Sequence, residues 1–370
     1  VDVDSAVIIG SNAGIANMTS AADNTVAIGT DALRNLTSGG YNVSIGYQSL
    51  KSLTTGSSNV ALGYGTLQEH LTGHRNIAIG AYAMGDTNAG TNAQDSDNNI
   101  FIGYYSGGGA WADVASEENI AIGHYSMDGA LNGAAGNIAL GNLSLSAITS
   151  GDDNIAIGYA ALQVADGGES NNVAIGSGAG QSINHDSSDN NVLLGTHAGK
   201  GGTGALSRNV AVGYLAMDAT TSIGGTDNVF VGASSGGGSW SGSTSNYNIG
   251  IGSHTLDDAM NGATYNIGIG YVALTDLTTG DYNIGIGGGA GTNITTGHSN
   301  IQLGQDAGST MTDTDATILI GYHAGYAINH SDADGTVAVG HTALKALTSG
   351  QKNTAIGYEA LKSEDDGDYN

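Results

Sequence analysis

One glycine recurs along the whole chain, and the residues around it recur with it. The motif is typified by Asn-Ile-Ala-Ile-Gly at 154–158, and its final glycine appears twenty times, from Gly10 to Gly357. The mean step is 18.3 residues, the commonest is 17, and the longest is 23, from Gly80 to Gly103. One position before the glycine, all twenty residues are Ile, Val or Leu; three before it, nineteen are Ile or Val, with Thr354 the exception. Two before it Ala dominates, and four before it sixteen are Asn. Three after it every residue is Ala, Ser or Thr, and four after it every residue is Leu, Met or Gly. A fixed period of this length confines the chain to repeat architectures, in which each unit is stabilised by its neighbours.

Alternating β-branched residues around a small one read as a strand, with the Ile/Val pair on one face and Ala on the other. The glycine ends that strand, and a second short strand is expected after it, as in Tyr159-Ala160-Ala161-Leu162. A helix would need apolar residues at i, i+3, i+4 and i+7 over ten or more positions, and each interior glycine would cost it about 1 kcal/mol. No segment between the glycines satisfies this. The chain is therefore expected to be all-β: a parallel β-solenoid of about twenty rungs of 17–20 residues, running continuously over 1–361, with 362–370 starting a further rung or a linker. Rungs stacked about 4.8 Å apart give a rod of roughly 95 Å.

Composition agrees and excludes alternatives. There are 63 glycines, no proline and no cysteine among 370 residues. Proline would break the ladder of a central strand by removing an N–H. Without cysteine there is no disulfide framework and no thiolate metal site. Eight Lys and Arg against 34 Asp and Glu leave a formal charge of −26, so electrostatic binding to nucleic acid is not expected. No apolar run is long enough for a membrane helix, and no membrane insertion is expected.

The Asn column has a structural reading: a side-chain amide at a fixed corner can bond to the Asn of the next rung, as in amide ladders. Asn76, Asn119, Asn154, Asn209 and Asn283 are assigned to this ladder. The Ile/Val column, represented by Ile122, Ile157 and Ile286, forms an aliphatic stripe on the outer strand face. A stripe of that length left in water is an aggregation hazard, so it is expected to be covered by another chain.

The columns Asn-x-Ala-Ile-Gly-x-x-Ala/Ser resemble the head repeats of trimeric autotransporter adhesins, whose motif is close to Asn-Ser-Val-Ala-Ile-Gly. The rungs with Leu-Thr-Thr-Gly, at 53–56 and 277–280, are similar to those of phage tail-fibre proteins. The resemblance covers essentially all of 1–361. It implies a left-handed β-roll, three chains around one axis, and the aliphatic face in the interface. It also implies an extracellular place, on a virion or a bacterial cell surface. Handedness and the number three come from this resemblance alone.

A longer-range copy is also present. Residues 98–162 and 227–291 correspond at an offset of 129, so that Phe101 maps to Phe230 and Trp111 to Trp240. The duplicated blocks are taken as 98–226 and 227–355. Trp111 and Trp240 each follow Ser-Gly-Gly-Gly, and they are the candidate receptor contacts, as rings that could stack on a sugar. The competing reading, favoured about three to one, is a local mini-core in which each Trp covers its Phe.

Acidic loop pairs (Asp95/Asp97, Asp113/Glu117/Glu118, Asp186/Asp189, Asp313/Asp315, Asp332/Asp334) could bind Ca²⁺ through oxygen ligands. Neither an EF-hand nor the calcium-binding nonapeptide is present, and a solvated surface is the stronger reading. Gly195–Lys200 is one residue short of a P-loop, the ten His are isolated, and no nucleophile motif appears. No catalytic residue and no cofactor are assigned.

The expected function is a fibrous structural or adhesive protein: a rigid homotrimeric shaft or head presenting loops to a receptor, glycan above all. A self-polymerising extracellular filament is the alternative. An ice-binding solenoid would need an unbroken Thr array, but the Thr-rich turn (Thr37, Thr54, Thr55, Thr278, Thr295, Thr348) is interrupted in most rungs. A polysaccharide-active solenoid would need a carboxylate or basic cluster in one groove. Val1 leads into the first rung without a cap, and Asn370 stands where the next ladder Asn belongs, so further rungs or domains are expected beyond both ends.

Overall fold

The computed structural model describes residues 5–16, 18–87, 95–220 and 223–370. Val1, assigned to the lead-in of the first rung, lies outside them. The chain forms two compact units, Val1–Asp189 and Asn190–Asn370. Each is a parallel β-solenoid, and no α-helix occurs among the described residues.

The first unit stacks ten three-residue strands, from Val7–Ile9 to Val173–Ile175, each paired in parallel with the next along the chain. The second stacks another ten, from Val192–Leu194 to Thr354–Ile356, in the same way. It adds a small parallel pair, Leu206–Ser207 with Gly225–Thr226. Register follows the sequence columns: Ile155, Ala156 and Ile157 pair with Val173, Ala174 and Ile175. The fold class read from the sequence is thus the observed one.

Period 2 sorts the strand residues. The central position is buried in every strand from Val26–Ile28 onward, while its two neighbours stay half-buried or exposed. The glycine that follows is needed for its backbone: Gly158 has φ +136°, and a Cβ there would stand 2.5 Å from the carbonyl oxygen of Gly176 in the next rung. Only a residue without Cβ permits both the turn and the rung spacing.

The expected second strand is not a strand. Tyr159–Leu162 and its equivalents form consecutive turns in which alternate residues are left-handed: Ala160 has φ +55° and Leu162 +48°. The ribbon still bonds to both neighbours, through Ala160 N–H to Asn142 O and Leu162 N–H to Ala179 O, each at 3.0 Å. A left-handed L-residue costs about 1–2 kcal/mol. Full burial of a Leu side chain, as at Leu162, contributes about 1.5–3 kcal/mol and offsets it. An alternating left-handed ribbon shares the period of two with a strand, which is why apolar alternation did not tell them apart.

Core volume is balanced inside the rungs that carry a bulky central residue. Six rungs carry a large residue at the central strand position: Ile8, Phe101, Leu193, Phe230, Gln302 and Leu319. Six residues further on, each of these rungs has Gly instead of Leu or Met: Gly14, Gly107, Gly199, Gly236, Gly308 and Gly325. A Cβ on Gly107 would stand 2.5 Å from the Phe101 ring, and one on Gly199 would collide with Leu193 Cδ2. The two side chains compete for one space in a core packed to native density.

This complementarity is testable at Leu193 and Gly199. Leu193→Ala leaves a cavity and should cost about 2–5 kcal/mol, while Gly199→Leu overpacks. The double variant recreates the common Ala/Leu rung, and most of the lost stability should return. Urea unfolding of the four proteins of this cycle should show a coupling of at least about 2 kcal/mol; additive losses would contradict the shared-volume account.

Candidate functional site

The asparagine corner is a closed hydrogen-bond network. Asn154 Nδ2 donates to Asn137 Oδ1 at 3.0 Å and to the Glu169 carbonyl at 2.7 Å. Its Oδ1 accepts from both the backbone N–H and Nδ2 of Asn172, each at 3.1 Å. Every capacity of the amide is used, and the same pattern holds at Asn76, Asn119, Asn209 and Asn283. The side chains are buried, so these residues build the scaffold and present nothing to a ligand. In the second unit Thr317 takes the Asn position and gives its hydroxyl to Asn300 Oδ1 at 2.8 Å.

The aliphatic column lies on the outside of the single chain. Ile122 and Ile286 are 41% and 39% exposed, and Ile157 is half-buried, whereas the central Ala121 and Ala156 have no accessible surface.

Trp111 and Trp240 do not offer receptor contacts. Both are wholly buried. Trp111 packs on Phe101 with ring centroids 5.6 Å apart and donates Nε1–H to Gly107 O at 2.9 Å. Trp240 packs on Phe230 at 5.9 Å and donates to Gly236 O at 3.2 Å. The indole N–H is satisfied by the glycine turn and the ring fills the widened rung, which leaves no face for a sugar.

Most of the acidic pairs accept backbone hydrogen bonds between rungs. Asp97 accepts from His74 N–H at 2.5 Å, Asp189 from Ser170 N–H at 2.8 Å, Asp315 from His298 N–H at 2.6 Å, and Asp334 from Asp315 N–H at 2.7 Å. Asp95 is bonded to Thr72. Among the described residues, the group of three carboxylates that converges is Glu364, Asp365 and Asp366, outside the expected pairs. The Thr column is engaged too: the hydroxyls of Thr37, Thr278 and Thr295 donate to the carbonyl of the next rung at 3.0–3.2 Å.

Two features were missed in the sequence. The first is a set of tyrosine ladders at solvent. Tyr47 and Tyr64 stack at 5.1 Å, and the row continues through Tyr82 and Tyr105 to Tyr125. Tyr82 and Tyr105, with Gln68, Glu69, Asp86, Gly85 and Gly108, line a depression of about 320 Å³. A hydrogen bond with Tyr64 pushes the Tyr82 phenol up to about 12. Tyrosines one place (Tyr47, Tyr64) or two places (Tyr82, Tyr105, Tyr125) after the recurring glycine of successive rungs are the signal that reveals this row.

The second is His70. It occupies a core column that is Leu53 one rung earlier, and it is wholly buried. Its Nε2 lies 3.2 Å from Asn76 Nδ2 and its Nδ1 3.2 Å from Thr87 Oγ1. Burial, then the neighbouring His74, lowers its pKa to about 4.

Two outcomes follow from this geometry. Asn154→Ala leaves several buried groups without partners, each costing about 1–3 kcal/mol, and should lower the melting temperature sharply. Asn154→Asp should be worse at neutral pH, because it sets a carboxylate against Asn137 Oδ1 and the Glu169 carbonyl. Equal melting temperatures for wild type and Asn154→Ala would contradict the ladder. For His70, the unfolded chain takes up a proton below about pH 6.5 but the folded one only below about 4. Stability should therefore fall by about 1.4 kcal/mol per unit between pH 6.5 and 4. In His70→Leu this part of the acid loss should vanish, as read from urea unfolding at several pH values.

Among known proteins, no family model and no curated relative matches this chain.

Proposed function

We propose that the chain is a fibrous structural and adhesive protein that acts outside the cell, as a phage tail-fibre shaft or a bacterial surface adhesin head. The supporting observation is the contrast between the two faces of each strand. The core face is buried, while the outer face leaves Ile and Val half-buried or exposed in rung after rung. Side-by-side association of copies would bury that stripe, and apolar burial contributes about 25 cal/mol per Å². Three copies is the number that the repeat's resemblance to adhesin heads and tail fibres implies.

The remaining surface suits presentation. Each Arg pairs with an Asp (Arg34 with Asp31, Arg75 with Asp97, Arg208 with Asp227), which leaves an acidic exterior that repels nucleic acid. The depression lined by Tyr82, Tyr105, Glu69 and Asp86 combines ring edges with hydroxyl-binding carboxylates, the chemistry a neutral glycan receptor needs. No helix among the described residues is long and apolar enough to cross a membrane. Among the described residues no acid, base and nucleophile converge to support an enzymatic role, and an ice-binding role is disfavoured by Thr hydroxyls already bonded to carbonyls. A filament grown by end-to-end pairing of rungs stays as the second reading.

Replacing Ile122, Ile157 and Ile286 together by Asp should convert an associated protein into monomers, because assembly would bury three unpaired charges per chain. Analytical ultracentrifugation with circular dichroism reads both mass and fold. Retention of the oligomer by a folded triple variant would overturn the proposed interface.

A further inference from the structure

We propose that Tyr247, Tyr265 and Tyr282 form an oxidative cross-linking site, at which a one-electron oxidant joins adjacent rungs through dityrosine. The three residues stand directly before the ladder asparagines Asn248, Asn266 and Asn283. Their backbones are alike, with φ +59°, +58° and +59°. Backbone bonds hold the register: Tyr265 N–H donates to Asn246 O at 3.2 Å, and Tyr282 N–H to Thr264 O at 3.1 Å. The rings consequently stack face to face, with centroids 4.8 Å apart at 9° for Tyr247 and Tyr265, and 5.1 Å apart at 2° for Tyr265 and Tyr282. All three are exposed, between 45% and 58%.

Stacking alone does not call for a hydroxyl. Phe stacks as well, yet both Phe are buried in the core and this outer row is Tyr throughout. What a phenol adds, besides wetting, is one-electron chemistry. Each of two neighbouring phenols gives up one electron and its hydroxyl proton. The phenoxyl radicals carry spin on their ortho carbons, and one C–C bond forms between these carbons. The two ortho hydrogens then move to the oxygens and restore both phenols. The two electrons and two protons go to the oxidant; with hydrogen peroxide and a haem peroxidase they yield two waters. A stack fixed by the rungs supplies the proximity that radical coupling needs. A chain without cysteine gains by this route the covalent rung-to-rung tie that disulfides give elsewhere. This site depends on the fold alone and not on the adhesive reading.

The test treats the folded full chain with horseradish peroxidase and hydrogen peroxide. Cleavage before aspartate separates the three residues, since Asp257 and Asp276 lie between them. Expected are Tyr247–Tyr265 and Tyr265–Tyr282 linked peptides, lighter by two hydrogens, from material that still runs as a single chain on denaturing gels. Their yield should exceed that of the urea-unfolded chain by about tenfold or more, the gain from fixed proximity. Tyr265→Phe keeps the stacked ring and should abolish both links, while coupling of Tyr47 with Tyr64 persists as an internal control for the oxidation. Exposed Tyr159 and Tyr214, which have no ring neighbour among the described residues, should contribute little. Equal yields from folded and unfolded chain, links only between chains, or an unchanged pattern in Tyr265→Phe would each overturn the proposal.

Discussion

Hydrogen bonding between one rung and the next, in strict register, is the constraint on which everything else in each unit depends. A single rung has three strand residues and a few turns, too little to bury a core of its own. Its backbone groups find partners only above and below. Once register is set, identical residues stack, and the buried Asn amide becomes the most economical corner, because it has two donor hydrogens and one double acceptor for four sites. Asn137, Asn154 and Asn172 illustrate the closed pattern. At two of the positions where Thr replaces the amide the network frays, since the hydroxyls of Thr25 and Thr336 are buried with no hydrogen-bond partner, whereas Thr317 keeps its bond to Asn300.

The columns carried the fold because each reports a physical requirement that repeats: glycine for a left-handed turn under a neighbouring carbonyl, Ala for a thin core, Asn for the corner. The ribbon at Tyr159–Leu162 did not declare itself, since a bulky Leu at positive φ is a rare conformation held by tertiary bonds. The pairing of Phe101 with Gly107 and of Leu193 with Gly199 was present in the sequence, but it appears only when two columns are compared within a rung. The tyrosine ladders needed the opposite comparison, of neighbouring columns across rungs. Trp111 and Trp240 were legible as a pair with Phe101 and Phe230, and burial of each Trp over its Phe was the favoured of the two readings.

Functional chemistry is spread along the molecule instead of gathered in one cleft. Polar side chains that elsewhere form sites are here consumed by the scaffold, as Asp97, Asp189 and Asp315 are by backbone N–H groups of adjacent rungs. What stays available is of three kinds: an aliphatic stripe, an acidic exterior and rows of phenols. The proposed association rests on the first, and the proposed cross-linking on the third.

The central claim is that the outer strand faces bearing Ile122 and Ile157 in the first unit and Ile286 in the second are covered by further copies of the chain. Sedimentation equilibrium of the unaltered protein at micromolar concentration tests it most directly. The account predicts a mass that is a multiple of the 36.7 kDa chain, three-fold for a trimer. A homogeneous, folded 36.7 kDa monomer that stays soluble across a hundredfold range of concentration would contradict it.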